Sequence, residues 1–208
     1  MFDTILGLFR QSEILKGKKH MRKSFSALDI SASVIRSRVR EGDLCIDATA
    51  GRGNDTAFLC SLVGSSGRVI AFDIQKEAVD STSALIESRG YSDIAQIIHG
   101  SHTDMDKYAE PESVSCITFN FGWLPGGDHS IHTEKETSIE AVKKALGLIR
   151  PGGLISMILY YGRDTGFEEK DELLKFVKTI DSSIFTVITA EFSNRPNCPP
   201  IPVFIIKE

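Results

Sequence analysis

Cysteine is scarce and scattered: Cys45, Cys60, Cys116 and Cys198 are the only four in 208 residues. None stands in a CxxC or CxxH spacing, so neither a disulfide framework nor a zinc site is expected, and no metal. The first three fall in or beside apolar segments, as thiols do in a reducing cytoplasm. Excess positive charge is also missing. With 24 Lys and Arg against 28 Asp and Glu, the formal charge is -4, so any nucleic-acid contact requires a local basic patch. No apolar run approaches the ~18 residues that a membrane span needs. The opening segment has only a short apolar stretch, Ile5 to Phe9, with Asp3 before it and no small-residue cleavage site after it. That pattern does not suit a secretory signal. A cytoplasmic protein without a membrane anchor is the expectation.

What is present is ordinary globular composition, 41% hydrophobic and 25% charged. The length suits one domain with a substantial core rather than two. We divide it into an N-terminal extension with a basic linker, residues 1–23, and a single domain, residues 24–208. The stretch KGKKHMRK, residues 16–23, reads either as a solvated linker or as an arm whose Lys16, Lys18, Lys19, Arg22 and Lys23 touch phosphates. From Ser24 the apolar spacing is helical, with Ser24 or Ser26 available as cap and Gly42 as the end. Apolar runs at 43–48, 67–74, 94–100, 113–122, 154–162, 184–192 and 202–208 then read as strands. Helical patterns lie between them at 54–63, 75–90, 133–149 and 168–180. Alternation of this kind implies a parallel sheet with helices on both faces. The last two strands have no helix between them and imply one antiparallel strand. The expected fold is therefore α/β, Rossmann-like, with a seven-stranded mostly parallel sheet: the class I methyltransferase variant.

The first strand runs directly into Asp47-Ala48-Thr49-Ala50-Gly51-Arg52-Gly53-Asn54-Asp55-Thr56. Gly51 and Gly53 lie between a strand and a helix, where backbone can approach a ligand closely. Asp73 follows 20 residues after Gly53, at the end of the next strand, the spacing at which a carboxylate meets ribose hydroxyls. A pyrophosphate fingerprint wants a third glycine, and position 56 is threonine. Asp47 would repel a pyrophosphate but suits the ammonium and sulfonium of S-adenosylmethionine (SAM), so SAM is favoured over a dinucleotide. Gln75 either contacts adenosine or caps a helix. After the third strand, Ser101 and His102 border the expected adenine position. His102 reads equally as a base contact or as a surface-loop histidine.

The fourth strand ends in Asn120-Phe121-Gly122-Trp123-Leu124-Pro125-Gly126-Gly127-Asp128. Enzymes that methylate amino groups place Asn or Asp at such a strand end with an aromatic three residues on. A carboxamide oxygen accepts from the target N–H, and an aromatic face holds a planar base. Asn120 and Trp123 fit these two roles, although the prolines usual between them are replaced.

The segments DATAGRGNDT, AFDIQ, FNFGWLPGGD, YYGRDTG and NRPNCPP together resemble the MnmM (YtqB-like) family of tRNA wobble-uridine methyltransferases, formerly labelled rRNA methylases. The resemblance covers about residues 24–208. It implies SAM as cofactor and the tRNA anticodon stem-loop as partner. The implied reaction converts the amine of 5-aminomethyl-2-thiouridine to 5-methylaminomethyl. It also implies that Asn54, Asp55, Asp73, Gln75 and His102, with Thr49 in the same loop, line SAM. Asn120 and the loop Trp123, Leu124, Pro125, Gly126, Gly127 and Asp128 would frame the amine. Tyr160, Tyr161 and Gly162, with Asn194, Asn197, Pro199 and Pro200, would hold substrate. Trp123 stands where the family commonly has tyrosine, and Arg163 where histidine is frequent. Methylation of rRNA or of a small amine, and a non-catalytic SAM-binding module, are the competing expectations. The oligomeric state is left open, a homodimer included.

Overall fold

The protein is seen in a computed structural model, which describes residues 25–122, 135–162 and 166–208. Helix α1 (Ala27–Arg38) starts at Ser26, which settles the choice of cap. The Ser26 hydroxyl accepts from the Asp29 amide while the Asp29 carboxylate accepts from the Ser26 amide, a reciprocal capping box. There follow β1 (Leu44–Asp47), α2 (Asn54–Val63), β2 (Arg68–Asp73), α3 (Lys76–Ser88), β3 (Ala95–His99), a 3-10 helix (His102–Lys107) and β4 (Val114–Phe121). The chain continues through α4 (Lys135–Leu148), β5 (Ile149–Leu159), α5 (Phe167–Val177), β6 (Phe185–Thr189) and β7 (Ile201–Lys207).

The seven strands form one sheet in the order β3-β2-β1-β4-β5-β7-β6. β7 runs antiparallel to both neighbours and every other pairing is parallel, as the sequence implies. Buried parallel strands must be apolar on both faces, and alternate residues serve opposite layers. Cys45, Val69, Cys116, Leu154 and Phe204 pack under α1, α2 and α3 with Ile35, Leu59, Val63 and Ile86. Ile46, Ile70, Ile117, Ile155 and Val203 pack on the other face with Val142, Leu148, Leu173 and Val177 of α4 and α5. Three of the four cysteines, Cys45, Cys60 and Cys116, are buried in the first layer, and burial pushes their thiols up. No helix among the described residues is long and apolar enough to cross a membrane.

Two boundaries differ from expectation. The strand expected from 154 begins at Ile149, because Val114 pairs with Ile149 before Cys116 pairs with Leu154. The intervening Arg150-Pro151-Gly152-Gly153 forms an irregularity in which proline needs no ladder hydrogen bond. Arg150 pins it, donating to Ser115 Oγ (2.8 Å) and Asp43 Oδ1 (3.1 Å). The segment after β3, read as a loop, folds as the 3-10 helix. Ser101 caps that helix, and Lys144 of α4 clamps it by donating to the Thr103 carbonyl at 2.5 Å.

Helix α1 is anchored to β5 by a buried hydroxyl pair, Ser31 Oγ to Ser156 Oγ at 2.8 Å. Ser31→Ala and Ser156→Ala each leave one hydroxyl enclosed without its partner and should each cost ~1–3 kcal/mol. The double variant should cost clearly less than the sum of the two, because both polar groups are then gone. Urea unfolding of all four proteins measures this, and strict additivity would show that the two hydroxyls do not depend on each other.

Candidate cofactor and reaction site

Strand order reverses between β1 and β4, so the connections leaving these strands diverge and open a crevice at their C-terminal ends. The loop after β1 lies in it. Gly53, at φ +78°, ends the loop, and a Cβ there would stand 3.0 Å from Thr82 Cα of α3. Only glycine allows both the left-handed turn and the close approach. The Thr82 hydroxyl donates to the Gly51 carbonyl (3.1 Å), and the Gly51 amide donates to Asp73 Oδ2 (2.8 Å). Asp73 Oδ1 accepts from the Gln75 amide (2.9 Å). Asp73 therefore ties the loop to the end of β2 and keeps its remaining lone pairs for hydroxyl donors. Asn54, at the first turn of α2, is exposed.

Asp47 does not face the crevice. The side chain expected beside the SAM cations is 0% exposed and lies beneath the loop. It accepts from Thr56 Oγ1 (2.6 Å) and the Thr49 amide (3.2 Å). The threonine that replaces a third glycine is therefore its partner. Burial, and then the neighbouring Asp55 charge, push the Asp47 carboxyl up to about 7, against the pull of those two hydrogen bonds.

On the β3 side, Gln75 is half-buried and begins α3 without a side-chain capping bond. Between it and Asp73, Ile74 is 51% exposed. This apolar surface beside the Asp73 carboxylate escaped the sequence reading, which had no signal for its exposure. Ser101 is engaged locally, its hydroxyl meeting Thr103 Oγ1 (2.8 Å) and accepting from the Thr103 amide (3.2 Å). His102 is no surface residue. It is 7% exposed, with the rings of Phe119 and Phe121 edge-on at 6.0 and 6.3 Å. Burial holds its imidazole below the usual range, outweighing a backbone bond with Ala48 and the charges of Asp73 and Glu140. Nε2 has no hydrogen-bond partner among the described residues. An enclosed polar atom left so costs ~1–3 kcal/mol.

Asn120 sits at the opposite wall and is held from two sides. Its amide donates to Thr49 Oγ1 (2.8 Å) and its Nδ2 donates to Asp55 Oδ2 (2.8 Å). The carboxamide is thereby oriented, and among the described residues its Oδ1 takes no partner. Tyr160 lies alongside, its amide donating to the Phe121 carbonyl (2.8 Å). Gly122, at φ +107°, permits this, since a Cβ there would meet the Tyr160 carbonyl oxygen at 2.5 Å. Burial, with help from Asp55, pushes the Tyr160 phenol up to about 12, so it is a neutral group at pH 7.

The rim beyond Tyr160 joins two segments distant in sequence. Tyr161 packs edge-on against Phe167 (5.5 Å). A Cβ on Gly162 would stand 3.6 Å from Cys198 Cβ, so the end of β5 abuts the β6–β7 loop. In that loop Asn194 and Asn197 are exposed, while Pro199 and Pro200 are half-buried. Trp123, Leu124, Pro125, Gly126, Gly127 and Asp128, Arg163 and the basic stretch 16–23 lie outside the described residues.

A reversed strand order, a glycine loop tied to an acidic strand end and a polar fourth-strand terminus are the fold and site of a SAM-dependent methyltransferase. The model of the family described as "Putative rRNA methylase" matches residues 69–206, and the chain belongs to that family. A curated relative, the chloroplastic tRNA (mnm(5)s(2)U34)-methyltransferase of Arabidopsis thaliana, is 35% identical over 190 residues, 87% of this chain and 69% of that one. Ribosomal RNA small subunit methyltransferase H of Nitrosomonas europaea is 34% identical over 79 residues, 38% of this chain and 23% of that one. Among solved structures, an rRNA-methylase from Clostridium thermocellum, itself titled "putative", is 47% identical with a TM-score of 0.85, over 88% of this chain and 98% of that one. A Streptococcus mutans protein, called a "putative methyltransferase" and solved in complex with SAH, is 34% identical with a TM-score of 0.79 over the same shares of 88% and 98%.

The buried carboxyl has a measurable signature. Folded, Asp47 keeps its proton up to about pH 7, whereas an unfolded aspartate releases it near ~3.9. The folded state binds the extra proton in that window, so this group's contribution to stability falls as pH rises from about 4 to about 7. Asp47→Asn does not titrate, and its stability relative to wild type should improve steadily across the same window. Urea unfolding of both proteins at several pH values checks it; a constant difference would mean that Asp47 is ionised throughout.

Proposed function

We propose that this chain methylates the amine of 5-aminomethyl-2-thiouridine at the wobble position of tRNA, with SAM as methyl donor and residues 24–208 as one catalytic domain. The observation that carries this reading is Asn120. Its carboxamide is held by Asp55 and its backbone amide by Thr49, and among the described residues Oδ1 takes no partner, at the mouth of the crevice that Asp73 and the glycine loop line. The name of the Arabidopsis relative supplies the nucleoside and the position.

The residues fit a SAM-sized group. Asp73 suits the ribose hydroxyls, Ile74 a planar apolar face, and the unpartnered His102 Nε2 a heterocycle nitrogen or amine. When bound, SAM supplies a methyl group on sulfur for in-line displacement. The residues' share of the work is orientation. Asn120 Oδ1 accepts one N–H of the amine and turns its lone pair toward the methyl position, and positioning of this kind is worth up to ~7–11 kcal/mol. The amine must be neutral to attack, which costs ~4 kcal/mol at pH 7 for a lysine-like group. A neutral carboxamide and a neutral Tyr160 phenol do not favour the ammonium form as a carboxylate in contact would.

Methylation of rRNA is the second reading, favoured by the partial match to methyltransferase H and by the family's description. Purified protein, labelled SAM, and either tRNA lacking the wobble methyl group or ribosomal RNA separate the two. Label in tRNA, with loss of the free wobble aminomethyl group, is the expected result, and label confined to rRNA refutes the proposal.

Asn120→Ala should bind SAM nearly as well as wild type and lose ~2.7–4 kcal/mol of barrier lowering, about 10²–10³ in single-turnover rate. Asn120→Asp keeps an acceptor but adds a charge that stabilises ammonium, so its optimum should move to higher pH. Asp55→Ala frees the carboxamide to rotate and should lower the rate less than Asn120→Ala does. Wild-type turnover in Asn120→Ala would reduce Asn120 to a residue that only shapes the strand end.

A further inference from the structure

The β6–β7 loop carries a cation that no carboxylate among the described residues neutralises. Arg195 Cζ stands 3.9 Å from the centre of the Phe192 ring, and among the described residues no carboxylate lies within ion-pair distance, although Glu191 is close in sequence. Lys170 makes the contrast. It too is held over aromatic rings, 4.8 Å from Tyr161 and 5.8 Å from Phe167, but it already pairs with Asp171 at 2.6 Å. A guanidinium stacked on one face keeps its other face and its edge N–H groups open, which suits a planar base or a phosphate.

The loop is also held in an uncommon conformation. Asn197 at φ +65° and Cys198 at φ +50° are successive non-glycine residues in the left-handed region. Asparagine tolerates this well and cysteine does not, and such strain persists where the surroundings impose it. Gly162 lies close to Cys198, so the loop carrying Arg195 stands beside the segment that follows Tyr160.

We propose that Arg195, stacked on Phe192, contacts the RNA strand that flanks the methylated nucleoside, through a phosphate or an unstacked base. This rests on the RNA reading above and adds a contact beyond the asparagines and prolines of the same loop. With a net charge of -4 the molecule has no general attraction for RNA, so a fixed local cation beside the crevice has a disproportionate effect.

The test is fluorescence anisotropy of a labelled anticodon stem-loop carrying the aminomethyl nucleoside, titrated at several salt concentrations, alongside its methylation. Arg195→Gln should weaken binding about tenfold and flatten the slope of log affinity against log salt by about 0.7–0.9. Arg195→Lys should keep the slope and recover only part of the affinity, since an ammonium does not stack as a guanidinium does. Phe192→Leu should weaken binding a few-fold with the slope unchanged. SAM affinity and thermal unfolding should match wild type in all three. If Arg195→Gln binds with wild-type affinity and slope while the wild-type protein methylates the stem-loop, this inference is overturned and the RNA reading stands. If the wild-type protein neither binds nor methylates it, the RNA reading fails and the inference with it.

Discussion

An aspartic acid side chain with no access to water lies under the loop that makes this site. Asp47 is enclosed on all sides, and Thr56, the Thr49 amide and the neighbouring Asp55 charge surround it. Burying an acid is costly unless its lone pairs are met, and the partners that meet them are the loop itself. Thr49 supplies its amide to Asp47 and its hydroxyl to the Asn120 amide. Thr56 lies in the first turn of α2, the turn from which Asp55 reaches Asn120. One buried group at the end of β1 therefore fixes the loop, the start of α2 and the end of β4 relative to one another. The glycine loop and the end of β4 thus share one buried foundation.

The crevice above this foundation has two unlike sides. Toward β2 and β3 it offers a carboxylate with both oxygens tied to backbone, an exposed isoleucine and an unpartnered imidazole nitrogen, a set suited to a nucleoside. Toward β4 and β5 it offers a carboxamide oxygen and a neutral phenol, a set without charge of its own. Asp55 belongs to both sides. Its bond to Asn120 decides which end of the carboxamide faces outward: with Nδ2 held, the oxygen, the only end that can accept, is turned away from Asp55.

The sheet was legible in the sequence because its signals are local. Apolar runs bounded by turn residues mark β1, β2 and β4, and the missing helix before β7 marks the antiparallel strand. The 3-10 helix was not legible, since six residues capped by Ser101 carry too little periodicity to distinguish them from a loop. Nor was the early start of β5. Pro151 and Gly152-Gly153 are equally good as a helix stop and as a strand irregularity, and only pairing with Val114 decides. In the site, residue types were readable and directions were not. Asp47 and Asp73 are both acids at strand ends, yet one is sealed beneath the loop and the other lines it. His102 was open between base contact and surface loop, and tertiary packing against Phe119 and Phe121 ruled out the surface. The Asn120–Asp55 bond spans 65 residues and leaves no mark in either local pattern.

The single antiparallel strand also has a functional consequence that follows from topology. In a parallel sheet every strand hands its chain to a helix, so the segments at the C-terminal edge all depart over the faces. β7 breaks that rule. Because β6 runs parallel to β5 and β7 runs against both, the β6–β7 connection begins and ends at the same edge as the crevice. The connection there, residues 190–200, can rise as a wall instead of leaving, and its two ends are set by the pairs Thr189 with Val203 and Leu159 with Ile201. Contact between Cys198 and the position of Gly162 braces that wall against β5. Both ends of the connection are thus set by the sheet, and a surface ordered in advance leaves less ordering cost to be met on binding.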